Sequence, residues 1–327
     1  MNNQATWAHW WHTHRAAISA LGSIAGGFVI RLILIAHAWP NLNSDEATMG
    51  LMAKHILTRG EHPIFFYGQS YMGSIEAYLA AGSYLIFGYS VFALKFGMLI
   101  LYAILAGLLY TFMRILYSPF FAILAVVILS LGTDFMYYLQ LEATGGYMEI
   151  LIFILIILMI TRHLCLTASR AGAPQPTRGR VLLYVAWGFV AGVGLWSQVL
   201  IAPFVVLAGV LLVLCCWREL RHWLGAILLA GLIVGVSPWI VFVATDGAAH
   251  ERVAIPTVPG APLPPVNHDP LIIGEQILGT VIIAIPNLTG ANALCPVTAA
   301  DAWPPNRWAE TGAIPCMLVR GAWGVGY

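Results

Sequence analysis

Apolar residues along this chain fall into long unbroken blocks rather than short alternations. A helix that crosses a bilayer needs about 20 mostly apolar residues. Blocks of that kind run over 17–38, 91–113, 119–139, 145–161, 181–197, 199–216 and 223–243. The first ends in Ala36-His37-Ala38, which looks like a signal-peptidase site. Its apolar stretch, residues 17–38, is longer than the about 7–15 residues of a cleaved signal, so it reads as an uncleaved anchor. Trp10 and Trp11 lie between histidines ahead of it and read as an interfacial anchor rather than a metal tract.

Between the first two blocks the pattern changes. Met49, Met52, Ala53, Ile56 and Leu57 recur at helical spacing, with Glu46, Lys54, His55 and Thr58 on the other side. That predicts an amphipathic surface helix over 46–58, ended by Gly60 and Pro63. A second helix, about 74–87, has Ile75, Tyr78, Leu79, Leu85 and Ile86 as its apolar residues. It reads either as a short span or as an interfacial helix. The expected fold is all-α and polytopic, with about seven transmembrane helices and two interfacial helices in a first external loop, 39–90.

The remaining connections are a Pro- and Arg-bearing internal loop at 164–180 and a Pro-rich external loop at 244–270. Residues 271–288 read equally as an external surface helix or a span, because Glu275 interrupts them. A transmembrane module therefore extends over 1–290. Residues 291–327 form an irregular tail without periodicity, and a truncated or frame-shifted end is the expectation for it. No internal repeat is evident.

Composition agrees with the pattern. Charged residues make up 9% of 327, hydrophobic types 60%, and mean hydropathy is +0.83. So few charges cannot cover a soluble surface. The net charge of +1 and the absence of a basic run give no case for nucleic acid. Charge also decides the topology. With the second surface helix kept outside, Arg15, Arg114, Arg162, Arg170, Arg178, Arg180, Arg218 and Arg221 share one face, and only Lys54, Arg59 and Lys95 share the other before residue 250. The positive-inside rule then places the N-terminus in the cytoplasm. None of the five cysteines shows zinc spacing, although Cys295 and Cys316 could pair in an oxidising compartment.

In that orientation Asp45, Glu46, Glu61, Glu76, Asp134, Glu142 and Glu149, half of the 14 acids, gather at the external boundary, and His55 and His62 join them. Charge at membrane depth is costly, which favours a functional site there. Each residue also has a plainer explanation. Asp45 and Glu46 suit the first turn of a helix behind the N-cap Asn43-Ser44. Glu61 and Glu76 could be solvated, and Asp134 and Glu142 could be wetted helix ends. Glu149, within the apolar run from Tyr147 to Ile160, is the hardest to explain so. Arg31 lies about 10 Å inside the first span, at 1.5 Å per residue. It could pair with an acid or hold a lipid phosphate.

The first loop carries Ser44-Asp45-Glu46-Ala47 and then Pro63-Ile64-Phe65-Phe66-Tyr67-Gly68-Gln69-Ser70-Tyr71-Met72-Gly73-Ser74-Ile75-Glu76-Ala77-Tyr78-Leu79. Gly145-Gly146-Tyr147-Met148-Glu149, Gly194-Leu195-Trp196-Ser197-Gln198 and Gly235-Val236-Ser237-Pro238 follow. Over roughly residues 20–290 this resembles the GT-C membrane glycosyltransferases, and more narrowly the bacterial relatives of dolichyl-phosphate-mannose–protein mannosyltransferases.

The resemblance implies transfer of a sugar from a polyprenyl-phosphate donor to a glycan, lipid or protein acceptor at the outer face of a bacterial-type inner or cell membrane. It implies Asp45 as general base, with Glu46 orienting it or binding acceptor. Glu76, Gln69, Tyr71, Tyr147, Glu149 and Trp196 become candidate sugar contacts, and Arg31, Lys54 and Lys95 candidate phosphate contacts. The resemblance fixes no cofactor, and a divalent cation stays open. His55, His62 and the acids are candidates for a divalent cation. Two features depart from the family. Leu141-Glu142-Ala143-Thr144 lacks a basic residue for the donor phosphate, and the tail matches nothing in it. The competing readings are a transporter or flippase for a lipid-linked sugar, which the missing repeat and one-sided charge disfavour, and an inactive fragment of such a transferase.

Overall fold

A computed structural model describes residues 3–69, 71–168, 177–245, 274, 277–285 and 314–326, with side chains from residue 17 onward. Regular structure among the described residues is helical, and β-pairing is limited to two isolated bridges. The helices are α1 (Asn3–Ala36), α2 (Ser44–Arg59), α3 (Ile75–Phe87), α4 (Val91–Leu116), α5 (Pro119–Leu131), α6 (Asp134–Leu141), α7 (Tyr147–Leu166), α8 (Arg178–Ser197), α9 (Ala202–Glu219) and α10 (Gly225–Thr245). A last helix covers Ile314–Gly326. Among the described residues, five helical stretches are long and apolar enough to cross a membrane, and a sixth is reached if α5 and α6, bent by 83°, count as one.

The two helices predicted between the first two apolar blocks form at their predicted positions, for local reasons. At the start of α2 the Asn43 side chain accepts from the Glu46 N–H at 2.9 Å, and the Glu46 carboxylate accepts from the Asn43 N–H at 3.4 Å. Such a cap contributes about 0.5–2 kcal/mol. Gly60, left-handed at φ 65°, closes the other end. Met49, Met52 and Ala53 face inward as the periodicity predicts, and Lys54 and Thr58 face out.

Helix α3 turns its small residues inward. Ala77, Ala80, Ala81 and Ser83 are buried with Glu76, while Leu85 and Ile86 are about three-quarters exposed. The helix packs its small residues against α2 and α4. Close approach between helices in a bilayer favours small residues, and bulky apolar ones are at ease outside.

Helices α8 and α10 run side by side in the same direction. A Cβ added at Gly188 would stand 2.0 Å from the Leu228 carbonyl oxygen, and one at Gly192 would stand 2.3 Å from that of Leu232. Gly231 and Gly235 approach Val185 and Phe189 equally closely. The residue numbers rise together, so α9 between them must run back. The chain reverses at a π-helical stretch, Leu220–Leu224, where His222 leaves helical geometry. The predicted break between 216 and 223 falls here. The predicted continuous block 119–139 is corrected, because α5 stops at Leu131 before the 83° turn.

Two apolar clusters form the core. One joins α2, α3, α4 and α7, the other joins α7, α8 and α9, and α7 belongs to both. Hydrogen bonds align the helix ends. Arg162 donates to the Ile115 carbonyl and Arg180 to that of Leu164, while Arg180 Nε lies 2.5 Å from Glu219. Arg114, Arg162, Arg178, Arg180, Arg218 and Arg221 thus lie at the end formed by the C-termini of α4, α7 and α9. Asp45, Glu46, Glu76, Glu142 and Glu149 lie at the opposite end, where α4 and α7 begin.

By contact, residues 1–131 and 139–255 make one unit, and Gly132–Tyr138 with 256–327 a second. In the second unit, Arg320 Nε of the last helix donates to the Ile282 carbonyl at 2.9 Å, and both residues are buried. A helix over Ile314–Gly326 corrects the irregular tail in its last stretch. Three glycines and Pro315 obscure its periodicity. Cys316 is disulfide-bonded, while Cys295, its expected partner, lies outside the described residues, as do the external loop from 246 onward and residues 169–176 of the internal loop.

Candidate functional site at the turn before helix α7

The connection from α6 to α7, residues 142–146, turns on two left-handed glycines, Gly145 at φ 96° and Gly146 at φ 82°. Its backbone N–H groups point inward and would be costly if left unpaired. Two carboxylates from α2 and α3 meet them. Glu46 Oε1 accepts from the Ala143 N–H at 3.3 Å and from Lys95 Nζ at 2.6 Å. Glu76 accepts from Gly145 at 2.9 Å and from Gly146 at 3.1 Å. Glu46 and Lys95 are both fully buried. Removing one partner of such a pair costs about 3–5 kcal/mol, because the other charge is left behind.

The same turn contacts the break between α8 and α9. A Cβ on Gly146 would stand 2.9 Å from both the Ser197 carbonyl oxygen and Gln198 Cβ. From the first loop, the Gly73 N–H donates to that Ser197 carbonyl at 2.8 Å, Met72 bridges to Gln198, and Trp196 Nε1 donates to the Ile64 carbonyl at 3.1 Å. Within the loop, Phe66 N–H donates to Met72 O at 2.9 Å. Three of the motif segments, 63–79, 145–149 and 194–198, therefore meet at one place, although they are separated in sequence by scores of residues.

The candidate residues take different positions around this junction. Asp45, in the first turn of α2, is partly exposed and accepts from Ser44 Oγ at 3.4 Å. Glu142 faces the same corner. Burial, and then the charge of Glu46, pushes its carboxyl above the ordinary range, while Lys95 and Asn43 oppose the shift. Glu46 is a structural member of the corner rather than an exposed acid. Glu76 and Glu149 are buried at 3% and 2% exposure and face each other. Burial first and Glu149 second push Glu76 well up, against the pull of the two glycine amides. Tyr71 and Tyr147 are exposed, and Gln69 and Trp196 are half-buried.

Two of the three cations expected at a phosphate are committed elsewhere. Arg31, fully buried, donates Nε to Gln140 Oε1 at 2.9 Å and its other nitrogens to the Gly27, Ser130 and Leu129 carbonyls, with its Cζ 3.9 Å from the Tyr102 ring centre. It ties α1 to α5, α4 and the end of α6. Lys95 is spent on Glu46. Lys54 alone is exposed, with Nζ 5.9 Å from the Tyr89 ring centre. It follows Asp45 by two and a half turns of α2, about 13 Å along the axis.

The expected histidines do not meet the acids of the junction. His55 Nδ1 lies 3.1 Å from the Tyr67 hydroxyl, which donates to Glu61, and His62 is exposed. Burial first, then Glu61, pushes Tyr67 up to about 12. The Tyr67 hydroxyl in turn holds Glu61 below its ordinary range. Among the described residues, no three His, Cys, Asp or Glu side chains converge as a metal site.

Sequence reasoning missed the Glu46–Lys95 pair, the Gln140 acceptor of Arg31, and Ser197. Lys95, a lone charge inside the apolar block 91–113, is the signal the sequence offers, and it does not name its partner. The chain matches no family model, no curated protein and no solved structure.

Proposed function

We propose that the protein is a membrane glycosyltransferase that moves a sugar from a polyprenyl-phosphate donor to an acceptor hydroxyl at its acidic end, with Asp45 as general base. The observation that supports this most is the meeting of the three motif segments beside Asp45. Glu46, Glu76 and Glu149 are sealed by packing, so Asp45 and Glu142 are the junction carboxyls that a substrate can reach. In this reading seven helices span the membrane, and the arginine-rich end faces the cytoplasm by the positive-inside rule. The bonded Cys316 fits an oxidising outer compartment for the tail.

The chemistry follows from the roles. The acceptor oxygen attacks the anomeric carbon as the bond to the phosphate oxygen breaks, which inverts the centre. The acceptor proton passes to Asp45, and the lipid phosphate leaves as an anion. A positioned carboxylate contributes typically about 10²–10⁴-fold to such a step. Glu142, partly exposed beside Asp45, is a second carboxyl within reach of substrate. Exposed Tyr71 and Tyr147 offer ring faces to the sugar. Lys54 is the remaining phosphate contact of the three expected from sequence.

Detergent-purified protein incubated with radiolabelled polyprenyl-phosphate hexoses should release free polyprenyl phosphate and pass label to a glycan or lipid acceptor. Donors that remain intact with every acceptor class would overturn the proposal.

A further inference from the structure

Glu149 is 2% exposed, and among the described residues no side chain other than the facing Glu76 carboxyl meets its carboxyl oxygens. Ser197, fully buried, leaves its Oγ unpartnered. The three oxygens belong to one neighbourhood. The Gly146 N–H is bonded to Glu76 Oε1, a Cβ on Gly146 would lie 3.4 Å from Ser197 Oγ, and Glu149 follows one turn later on α7 against Glu76. Among the described residues no Lys, Arg or His pairs with either glutamate. Buried charge in a protein is paired or coordinates a metal. A proton between the two carboxyls would satisfy one oxygen of Glu149 and leave the other, with Ser197, unmet.

We propose that Glu76, Glu149 and Ser197 form a binding site for a hard divalent cation, Ca²⁺ ahead of Mg²⁺, at the junction of the three motif segments. The donors are all oxygen, which suits hard cations, and two carboxylates balance one double charge. Ca²⁺ takes about 6–8 oxygens in flexible geometry and accepts bidentate carboxylates, whereas Mg²⁺ keeps several waters in a stricter shell. Glu149 can offer both oxygens. Glu76 retains lone pairs beyond those used by the glycine amides, which fix its orientation. A bound cation would lock α3, α7 and the end of α8 together. The site does not depend on the transferase reading and can stand if that reading fails.

Calorimetric titration of the EGTA-stripped full chain in detergent with CaCl₂ tests this, alongside its thermal unfolding. The expected result is saturable uptake of one Ca²⁺ per chain with a raised melting temperature, and weaker uptake of Mg²⁺. Glu149→Gln should lower the affinity by at least about tenfold, since ligand charge sets Ca²⁺ affinity. Ser197→Ala should weaken it less, and Glu61→Gln should leave it unchanged. If Glu149→Gln does not fold, Tb³⁺ luminescence from the wild-type chain, excited through Tyr147 or Trp196 and competed by Ca²⁺, reads the same site. No uptake, or uptake undiminished in Glu149→Gln, overturns the proposal. So does a melting temperature that rises on acidification without responding to Ca²⁺, because protons then neutralise the pair.

Discussion

Two buried carboxylates from neighbouring helices brace the same turn, and their electrostatic situations are opposite. Glu46 of α2 meets Ala143 and has Lys95 at 2.6 Å. Glu76 of α3 meets Gly145 and Gly146 and has a second acid, Glu149, in front of it. The first corner is neutral within the chain and can serve as a fixed strut. The second sets two acids against each other with no cationic side chain beside them among the described residues, so a proton or, in the proposal above, a bound cation must settle it. The turn between them also carries Glu142 toward Asp45. One corner holds the geometry, and the other responds to the surroundings.

This contrast can be broken most forcefully at the strut. Lys95→Met should destabilise the protein by about 3–5 kcal/mol, because Glu46 is left buried and unpaired. Chemical denaturation in detergent reads this loss, and Lys95→Met combined with Glu46→Leu should recover much of it. Equal losses in the single and double variants would show that packing, not charge, dominates there. Glu76→Gln should cost less, about 1 kcal/mol. An amide keeps one acceptor for the glycines and removes the repulsion with Glu149. A loss as large as that of Lys95→Met would erase the distinction between the corners.

The smallest effect belongs to Glu61 in the exposed loop. Its carboxyl is held below the ordinary value of 4.5, first by the Tyr67 hydroxyl. A depressed acid stabilises the fold above its unfolded value, and that contribution is lost as pH falls through its folded value. Melting curves of Glu61→Gln and wild type should therefore differ slightly near neutrality and converge in acid. A difference that persists in acid would trace the effect to packing instead.

The sequence made the apolar blocks, the cap at Asn43 and the gathering of acids at one end legible, since each depends on local spacing. What it hid depends on contacts over distance. Lys95 finds Glu46 across 49 residues, and no local pattern marks that pair. The buried face of α3 was not legible either, because a bilayer removes the usual rule. Bulky residues such as Leu85 and Ile86 are content outside, and alanines mark the inside. Asp45 stood out from sequence through resemblance, and its partial exposure beside sealed Glu46 adds a physical distinction between adjacent acids. The inward commitment of Arg31 was open in the sequence, because a buried arginine reads equally as a ligand for phosphate or as a tie between helices.

The most direct test compares Asp45→Asn with wild type in a single-turnover transfer from a polyprenyl-phosphate sugar, with donor binding measured in parallel. The account predicts unchanged donor affinity and a chemical step slowed by about 10²–10⁴-fold, the usual value of a general base. An Asp45→Asn protein that transfers sugar at the wild-type rate would contradict it.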